Sequence, residues 1–452
     1  MKPLNVGLLG FGTVGRGTFD VLARNAGEIA RRAGRPIEVS AIATRSPERA
    51  LAAVDGGTVH PRAGARAVHV STDLAAMVKR RDVDIVCELI GGIEPARALI
   101  LEAIAHGKHV VTANKALLAH HGTEIFAAAH AKGVMVAFEG AVAGGVPIIK
   151  ALREGLSANR IEWIAGIING TSNFILSEMR ARGASFATVL AEAQAKGYAE
   201  ADPTFDVDGI DAAHKLTIMS AIAFGIPMQF ERAFAEGIRG LAGEDIRYAE
   251  ELGYRIKLLG ITRRVPAGDG RAEGVELRVH PTLIPRRQLI ANVEGAMNAV
   301  LVKGDAVGAT LYYGAGAGAE PTASAVIADL VDVTRMHTAD PHHRVPHLAF
   351  QPDQLSDLAV LPMGEVRTSY YLRLTVDDRP GVLADITRIL ADRDISIDAM
   401  IQKEPSEGED QTDIILLTHE TLEKRVVDAI ARIESLATVR GPIVRLRLES
   451  LA

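Results

Sequence analysis

Short apolar runs alternate with helical patterns over the first part of the chain. Uninterrupted short runs are typical of strands buried on both faces of a parallel sheet, and apolar residues spaced by three and four are typical of helices. The pattern predicts a helix over Ala96–Ala105 and strands over Leu4–Leu9, Ile37–Ala43, Val83–Ile90, His109–Thr112 and Val134–Phe138. This alternation predicts an α/β domain with a parallel sheet over residues 1–138.

The middle of the chain, residues 139–310, mixes the two patterns without strict alternation, which predicts an α+β domain. Asn169–Asn173 is interpreted as a polar turn and cap into the helix that follows, Val293–Lys303 fits neither pattern, and 304–310 has the pattern of a loop. The remaining predicted elements are strands over Arg160–Ile168 and Gly274–Leu283 and helices over Phe174–Arg182, Phe186–Lys196, Ile210–Phe224 and Arg247–Leu259.

Two segments follow this middle part. A glycine-rich turn at 314–318 precedes a helical pattern over Thr322–Met336, and we expect residues 311–336 to return to the first domain. Residues 337–368 contain several prolines and histidines and are interpreted as a linker. A metal site there is disfavoured, because no cysteine or fixed ligand spacing supports it. Over 369–449, strands and helices follow in the order βαββαβ, which predicts a ferredoxin-like module.

The composition is that of a globular protein. The chain has 452 residues, of which 48% are hydrophobic and 23% charged, and its net charge is −6. This acidic balance argues against nucleic acid or an anionic membrane as a partner. The one cysteine, Cys87, lies in a predicted core strand, excludes an internal disulfide and suits the cytoplasm. No apolar run reaches the roughly 18 residues that span a bilayer, and we expect no signal peptide because glycines interrupt the N-terminal run.

A glycine-rich turn follows the first predicted strand directly and leads into a helical pattern. It permits a tight turn at Gly10, approach of the backbone to a pyrophosphate at Gly12, and close packing of helix and strand at Gly15. The helix N-terminus adds unpaired N–H groups and the positive end of its dipole. The context predicts a Rossmann-type dinucleotide site made of Gly10, Phe11, Gly12, Thr13, Val14 and Gly15.

Two further positions bear on the cofactor. The second strand ends in Thr44-Arg45, where NAD-specific sites usually carry an acid for the ribose 2′-hydroxyl. A cation there suits a 2′-phosphate, so NADP is favoured and NAD stays open; the alternative is a solvent-exposed loop arginine. Gly91 follows another strand at its carboxyl end, where ligands bind in open α/β sheets, and is therefore predicted to contact the cofactor.

The stretch from 197 to 215 concentrates acidic residues, with five carboxylates between Glu200 and Asp211. A helix is predicted from Ile210, and on it Asp211 and Lys215 are four residues apart and share a face. The pair is either an ordinary surface ion pair or part of a site that binds an ammonium group and offers a lysine proton to an oxygen. Lys115 directly follows another strand, on the ligand side of the sheet, and is a second candidate.

The loop Glu139–Pro147 has little side-chain bulk, many carbonyl groups and one carboxylate. Hard cations take oxygen ligands of this kind, so the loop is either a cation site or a hinge between domains. The glycine-rich turn at 314–318 is also open to two interpretations. It either closes over the cofactor or lets two backbones pack together.

Together these motifs resemble the homoserine dehydrogenase family, in its long bacterial type with a C-terminal ACT domain, over essentially the whole chain. Asp378-Arg-Pro-Gly-Val-Leu383 is similar to the first turn of ACT modules, which bind small amino acids. The other residues that carry the resemblance are Gly10–Gly15, Thr112–Ala116, Glu139–Pro147, Gly166–Asn173 and, most specifically, Gly197–Pro203 with Asp206, Asp211 and Lys215.

The resemblance implies a reversible, NAD(P)-dependent conversion of L-aspartate 4-semialdehyde to L-homoserine, a step in threonine, methionine and isoleucine biosynthesis. It makes 139–310 the catalytic and dimerisation domain. Carried over position by position, it implies that Glu200 and Asp211 bind the substrate's amino group, with Asp206 as a further substrate residue. Lys115 and Lys215 would flank the reacting oxygen, and Lys215 would be the proton donor.

The resemblance also implies contacts for two bound groups. Glu139 would bind a monovalent cation, sodium or potassium, together with the main-chain carbonyls of Val142, Gly144 and Val146. Further cofactor contacts would come from Lys115, Gly197, Glu200 and Gly316.

For the C-terminal module, the resemblance implies feedback by an amino acid, with L-threonine as the expected effector. The alternative is a dimerisation module without a ligand, and a homodimer or homotetramer is expected. Two rival functions stand against this interpretation. An ACT-bearing 2-hydroxy-acid dehydrogenase would need a catalytic histidine with a carboxylate partner and a mid-chain cofactor fingerprint. A non-catalytic sensor that binds the cofactor would not need both Lys115 and Lys215.

Overall fold

The computed structural model describes residues 2–55, 67–268, 272–403 and 410–451. The chain divides into two compact units. Unit 1 consists of Met1–Ile168, Asp211–Glu231 and Met297–Leu358, and unit 2 of Asn169–Ile210, Arg232–Ala296 and Ala359–Ala452. Within the described residues, no helix is both long enough and apolar enough to cross a membrane.

The strands, in chain order, are β1 (Leu4–Leu9), β2 (Ile37–Ala43), β3 (His69–Ser71), β4 (Ile85–Glu88), β5 (His109–Thr112), β6 (Val136–Ala137), β7 (Ile161–Ile167), β8 (Phe234–Ala235), β9 (Tyr254–Val265), β10 (Gly274–Pro285), β11 (Met297–Gly304), β12 (Gly308–Ala315), β13 (Arg367–Asp377), β14 (Ile397–Gln402), β15 (Gln411–Thr418), β16 (Thr421–Leu422) and β17 (Val439–Leu448).

The α-helices are α1 (Thr13–Arg24), α2 (Ala26–Ala33), α3 (Pro47–Asp55), α4 (Leu74–Lys79), α5 (Ala96–Ala105), α6 (Lys115–Lys132), α7 (Ile148–Lys150), α8 (Gly170–Arg182), α9 (Phe186–Ala195), α10 (Thr204–Val207), α11 (Ile210–Phe224), α12 (Gly243–Glu251), α13 (Ala319–Met336), α14 (Val382–Ala391) and α15 (Glu423–Glu434). A π-helical turn, Ala151–Gly155, continues α7.

Unit 1 is built on a parallel six-stranded sheet in the order β3-β2-β1-β4-β5-β6. This is the 3-2-1-4-5-6 order of the Rossmann fold, in which the strand order reverses beside β1 and leaves a crevice at the carboxyl ends. The central strands are apolar on both faces and form one core with α1 and α13. The predicted α/β fold with a parallel sheet is therefore confirmed.

Unit 1 also contains an antiparallel ladder in which β11 pairs with both β7 and β12. The segment Met297–Gly304, for which the sequence favoured neither pattern, is thus a strand, and β12 begins at Gly308 within the predicted loop. Helix α11 is buried along its length from Asp211 to Phe224. Because a fully buried helix has no polar face, its pattern gives no indication of which side holds the charged pair.

Unit 2 contains six strands paired in the order β9-β10-β17-β13-β15-β14, and β8 pairs with β10. Its C-terminal module, residues 367–448, follows the predicted order βαββαβ, with β16 as a small addition to β13. The inner faces of the module's strands pack against α14 and α15 in a core of their own. The last strand, β17, pairs antiparallel with β13 on one side and parallel with β10 on the other.

One local prediction is wrong, and another is confirmed with a change of its bounds. The predicted helix Arg247–Leu259 is in fact the end of α12 and the beginning of β9, separated by a turn at Gly253 with a φ of +84°. Apolar residues spaced by three and four fit the segment as helix, but from Tyr254 onward every residue pairs with β10, and this pairing decides for a strand. Asn169–Asn173 caps α8 as predicted, because the Asn169 side chain accepts a hydrogen bond from Ser172 N, but the helix already begins at Gly170 and not at Phe174.

Candidate active site

The glycine-rich turn has the geometry that its sequence predicts. Gly10 has a φ of +94° and Gly12 is the N-cap of α1. A Cβ on Gly15 would lie 2.3 Å from the carbonyl oxygen of Gly10, so only glycine allows this close crossing. A Cβ on Gly12 would meet no described atom within 4 Å, and no side chain of the described residues caps α1. The helix N-terminus therefore presents N–H groups to open space, which fits the pyrophosphate of a dinucleotide.

The end of β2 lies beside this turn. Gly10 N donates a hydrogen bond to Ala43 O at 2.9 Å, and the exposed side chain of Arg45 follows two residues later. Gly91, at the carboxyl end of β4, has a φ of +74° and no described atom within 4 Å of a built Cβ. The structure thus brings the glycine turn, the Arg45 segment and Gly91 to the same edge of the sheet.

A buried carboxylate holds the Gly91 loop in place. Glu88, the last residue of β4, accepts hydrogen bonds from Ile90 N and Gly91 N through Oε1, and from Thr112 Oγ1 through Oε2. Burial raises the pKa of Glu88, although these hydrogen bonds oppose the shift. Glu88 therefore ties the carboxyl ends of β4 and β5 together next to the predicted cofactor position.

Asn114 positions Lys115. Its Oδ1 caps α6 by accepting from Leu117 N at 3.1 Å, and its Nδ2 donates to Gly92 O at 2.6 Å. Lys115 is the first residue of this helix. Neither Glu88 nor Asn114 was singled out from the sequence. The asparagine directly before a helical pattern is a recognisable N-cap signal, whereas Glu88 has no local signal because its role depends on the neighbouring strand.

Lys115, Asp211 and Lys215 form one cluster in unit 1. Asp211 Oδ1 lies 3.2 Å from Lys115 Nζ, and Asp211 Oδ2 lies 2.7 Å from Lys215 Nζ. Lys215 also donates to the carbonyl oxygen of Ile168 at 2.7 Å. Lys115 is 33% exposed, but Lys215 is 11% and Asp211 only 4% exposed. The interpretation of Asp211 and Lys215 as a surface pair is therefore excluded.

One neighbour of the cluster is the buried side chain of His214. His214 packs against His120 and Phe230 at ring-centroid distances of 5.4 and 4.3 Å. Burial, with help from the positive charge that His120 can carry, lowers the pKa of His214 to about 4. The His214 ring is consequently neutral at neutral pH. Two lysine side chains that converge on one carboxylate suit an oxygen on which negative charge develops.

The remaining acidic candidates lie in unit 2. Asp206 accepts a hydrogen bond from Asn169 Nδ2 at 2.7 Å through its side chain and from Ser172 Oγ through its carbonyl. Glu200 is exposed, and its carbonyl accepts from the side chain of Gln194. Gly197 has a φ of +73° and open space around a built Cβ among the described atoms. The roles implied for Glu200, Asp206 and Gly197 remain predictions.

The loop that follows β6 is packed against the glycine-rich turn after β12. A Cβ on Gly144 would lie 2.5 Å from Gly316 O, and Gly145 N donates to Ala315 O. A Cβ on Gly316 would lie 2.0 Å from the side chain of Asn298. Close packing of two backbones, one of the two interpretations of the 314–318 turn, is therefore observed.

Glu139 is buried and accepts from the backbone N–H groups of Ile149 and Lys150, while its own N–H donates to Asp329 Oδ2. Burial raises the pKa of both carboxyl groups, and Glu139 raises that of Asp329 further. Within the described ranges, no group of three or more histidine, cysteine or acidic side chains is arranged to hold a metal ion. The cation site implied for Val142, Gly144 and Val146 consists mainly of main-chain carbonyls. The absence of a side-chain cluster therefore does not bear on it.

The parallel sheet, the open glycine turn and the lysine cluster define an NAD(P)-dependent oxidoreductase. Family models match the chain over residues 147–331 (homoserine dehydrogenase), 10–139 (homoserine dehydrogenase, NAD binding domain) and 370–438 (ACT domain). The homoserine dehydrogenase of Pseudomonas aeruginosa is 60% identical over 451 residues, with 100% of both chains covered. The chain belongs to the homoserine dehydrogenase family, whose enzymes oxidise or form a CH–OH group.

Solved structures agree with this assignment. A crystal structure of a homoserine dehydrogenase from Thiobacillus denitrificans superposes with a TM-score of 0.92 at 70% identity, covering 100% of this chain and 99% of that one. A hyperthermophilic archaeal homoserine dehydrogenase, solved in complex with NADPH, has a TM-score of 0.60 at 26% identity and covers 74% of this chain and 98% of its own. The expected family, the Rossmann-type domain and the C-terminal ACT domain are confirmed.

Proposed function

We propose that this homoserine dehydrogenase interconverts L-aspartate 4-semialdehyde and L-homoserine at the cluster of Lys115, Asp211 and Lys215. The observation that carries the proposal is the buried carboxylate that holds two ammonium groups within 2.7 and 3.2 Å. A surface ion pair contributes little, but a buried pair persists only when geometry and hydrogen bonds compensate for desolvation. Such a cluster can stabilise negative charge that develops on a substrate oxygen and can donate a proton to it.

In this proposal, each residue of the cluster has a distinct task. The reduced nicotinamide, when bound, supplies hydride to the aldehyde carbon of the substrate. Lys115, the more exposed lysine, hydrogen-bonds the carbonyl oxygen, and Lys215 donates the proton as charge grows there. Asp211 orients both ammonium groups and, with Glu200, binds the substrate's amino group. Asp206 is a further substrate-binding residue.

The sharpest test of the cluster is Asp211→Asn, which removes one charge without changing shape. Two charge-assisted contacts of about 1.5–3 kcal/mol each would be weakened, so we expect kcat for homoserine oxidation to fall at least about 100-fold. The measurement is steady-state nicotinamide absorbance with L-homoserine. Glu28→Gln is the matched control, because Glu28 and Arg32 form an exposed pair of the same spacing. Wild-type kinetics in Asp211→Asn would contradict the proposal.

The preferred cofactor in this proposal is NADP. The residues present fit a dinucleotide, since Gly12 and Gly91 leave open space for it and α1 offers its N-terminus. The exposed guanidinium of Arg45, beside the turn, supports binding of a 2′-phosphate in preference to a 2′-hydroxyl. The NADPH complex of the archaeal relative is in line with this choice.

We further propose a structural role for sodium or potassium near Glu139. The support is a loop of small residues with many carbonyls, placed next to the two buried acids Glu139 and Asp329. A cation there would compensate their charge and stiffen the loop that contacts Gly316. Replacing sodium and potassium by choline at constant ionic strength should slow homoserine oxidation. Equal rates in the three salts would contradict the role.

The biological context of the proposal is a biosynthetic step with feedback. The ACT module supports an amino-acid effector, with L-threonine as the expected one, in the synthesis of threonine, methionine and isoleucine. A homodimer or homotetramer and a cytoplasmic location remain predictions. Inhibition of homoserine oxidation by L-threonine is the direct test of the effector. An enzyme that responds to none of threonine, methionine and isoleucine would contradict feedback regulation.

A further inference from the structure

A buried carboxyl group lies between two segments of unit 1 that the proposed reaction uses. Glu88 and Thr112 are the last residues of β4 and β5, and the parallel register places them side by side. Both residues are completely buried. Within the part of the chain that the structure describes, the side chains and N–H groups that act on the Glu88 carboxyl are hydrogen-bond donors and not cations. Because burial of an acid is costly unless its oxygens are satisfied, these hydrogen bonds decide its position.

The hydrogen bonds close a ring. Glu88 Oε1 accepts from Gly91 N at 3.1 Å, and Glu88 Oε2 accepts from Thr112 Oγ1 at 2.7 Å. Thr112 Oγ1 in turn accepts from Asn114 N at 3.1 Å. Asn114 Nδ2 donates to the carbonyl oxygen of Gly92 at 2.6 Å. This last bond returns to the loop that Glu88 holds, so the four side-chain contacts depend on one another.

The ring connects the glycine loop after β4 with the start of α6. Gly91 and Gly92 have φ of +74° and +75°, and a Cβ built on either would meet no described atom within 4 Å. Two consecutive glycines have wide conformational freedom unless hydrogen bonds fix them. Lys115, the first residue of α6, directly follows Asn114, whose Oδ1 caps this helix through Leu117 N. The ring therefore fixes the backbone of Lys115 relative to the glycine loop.

The directions of these hydrogen bonds require two acceptor oxygens on Glu88. Backbone N–H groups can only donate, so Ile90 N and Gly91 N both donate to Oε1. Thr112 Oγ1 receives the N–H of Asn114, and its own hydroxyl proton is directed to Oε2. An ionised carboxylate accepts at both oxygens. A glutamine has the same shape, but its amide nitrogen donates, so one side of the ring would lose its acceptor.

We propose that Glu88 is a positioning residue for the reaction and that it holds Lys115 in place relative to the bound cofactor. Because Glu88 has no exposed surface, it acts through its neighbours and not by contact with the substrate. The ammonium group of Lys115 lies 3.2 Å from Asp211 Oδ1, so Asp211 fixes one end of this side chain and the ring fixes the other. The proposal rests on the proposed function, which gives Lys115 its role in the reaction.

This arrangement predicts which constants respond when the ring opens. A displaced Lys115 slows the chemical step, since a misplacement of about 1 Å can cost roughly 100-fold in rate. A loosened glycine loop weakens cofactor binding. Glu200 and Asp211, the residues proposed to bind the amino group, lie outside the ring. Opening the ring should therefore lower kcat and raise Kd for NADPH, while KM for homoserine stays near that of the wild type.

The experiment combines homoserine oxidation at saturating NADP with fluorescence titration of NADPH, on full-length variants. Glu88→Gln replaces one acceptor by a donor. Thr112→Val removes the hydroxyl group at nearly constant volume, and Thr112→Ser keeps it. Glu102→Gln, the same change at a side chain of α5 that is 40% exposed, is the matched control. Thermal circular dichroism reports the folding of each variant.

We expect Glu88→Gln and Thr112→Val each to lower kcat at least about tenfold and to raise Kd for NADPH at least about threefold, with KM for homoserine within about twofold. Thr112→Ser and Glu102→Gln should stay within about twofold of the wild type in all three constants. The double variant Glu88→Gln/Thr112→Val should have a kcat within about twofold of the slower single variant, because the ring opens only once.

Two results in folded Glu88→Gln would overturn the proposal: a wild-type kcat, or a wild-type Kd for NADPH. Equal losses in Thr112→Ser and Thr112→Val would also overturn it, as would losses that multiply in the double variant. If Glu88→Gln does not fold, the two Thr112 variants decide by the same constants.

The proposed function can fail separately. Wild-type kinetics in Asp211→Asn would contradict the reaction at the lysine cluster. The affinity of Glu88→Gln and Thr112→Val for NADPH is measured without turnover, and it tests the ring alone.

Discussion

Asp211 and Lys215 have the same i,i+4 spacing as several surface pairs of this protein but a different environment. Arg16 and Asp20 are both substantially exposed, and such a pair contributes about 0.3–0.5 kcal/mol. For the buried pair, removing one partner leaves an uncompensated charge, at a cost of about 3–5 kcal/mol. The expected loss of activity in Asp211→Asn is therefore accompanied by a loss of stability, which circular dichroism on the same sample will reveal.

Arg45 is the residue at which cofactor preference is decided in our proposal. Arg45→Ala should lower kcat/KM for NADP roughly tenfold or more, since a charge-assisted contact to phosphate contributes about 1.5–3 kcal/mol. The value for NAD should change little, because its ribose lacks the phosphate. The two values come from homoserine oxidation with each cofactor. Arg31→Ala, at an exposed arginine of α2, is the control. If the ratio of kcat/KM for NADP to kcat/KM for NAD is unchanged in Arg45→Ala, Arg45 does not contact the cofactor.

At the scale of the element, α8 begins at a residue with two tasks. Asn169 Oδ1 caps the helix through Ser172 N, and Asn169 Nδ2 holds the carboxylate of Asp206. One side chain thus fixes both the start of α8 and the position of Asp206 in α10. The start of α9 offers a comparison, because Ser185 caps it through Thr188 N and otherwise bonds only to the hydroxyl of the same Thr188 among the hydrogen bonds of the described residues.

Asn169→Ala should lower the free energy of unfolding by about 1–2 kcal/mol through the lost cap and should also raise KM for homoserine. Asn169→Asp keeps the cap but places two carboxylates together, so it should affect KM more than stability. Urea unfolding and steady-state kinetics measure the two effects. Ser185→Ala is the control for the cap alone, with a similar loss of stability and an unchanged KM. A normal KM for homoserine in Asn169→Ala would contradict a role of Asp206 in substrate binding.

At the scale of the molecule, the C-terminal module shares a sheet and buried ion pairs with the rest of unit 2. Strand β17 continues the sheet from β10, and the segment after it provides Glu449, whose Oε1 lies 2.6 Å from Nη2 of the buried Arg278. Arg373 of β13 likewise pairs with the buried Asp245 of α12 at 2.7 Å. Removing the module would leave Arg278 and Asp245 buried with fewer partners.

Truncation before Ser369 should therefore unfold unit 2 instead of yielding an unregulated enzyme, since each broken buried pair costs about 3–5 kcal/mol. We expect little folded protein, measured by thermal circular dichroism of the soluble fraction. Glu449→Gln should reproduce part of the loss, and Glu420→Gln, at an exposed position, should not. A truncated enzyme that melts near the temperature of the intact protein would show that the module is independent.

Local chemistry made much of this architecture predictable. The bounds of β1, β2, α5 and β5 follow from apolar runs and periodicity, and the cofactor turn follows from glycines whose spacing has one steric meaning. Lys115 and Lys215 were identified because one follows a strand at the ligand edge and the other closes an acidic run. These inferences need only neighbours in sequence.

Other features depend on residues that are distant along the chain, and only the tertiary structure decided them. Arg247–Leu259 became partly strand because β10 pairs with it. Asp211 and Lys215 became a buried pair because Lys115 and the Ile168 carbonyl approach them from elsewhere. Glu88 likewise acquires its partners through folding. The sequence by itself determined the local elements and the reactive residues, and the fold determined burial, because burial is a property of contacts that no single segment contains.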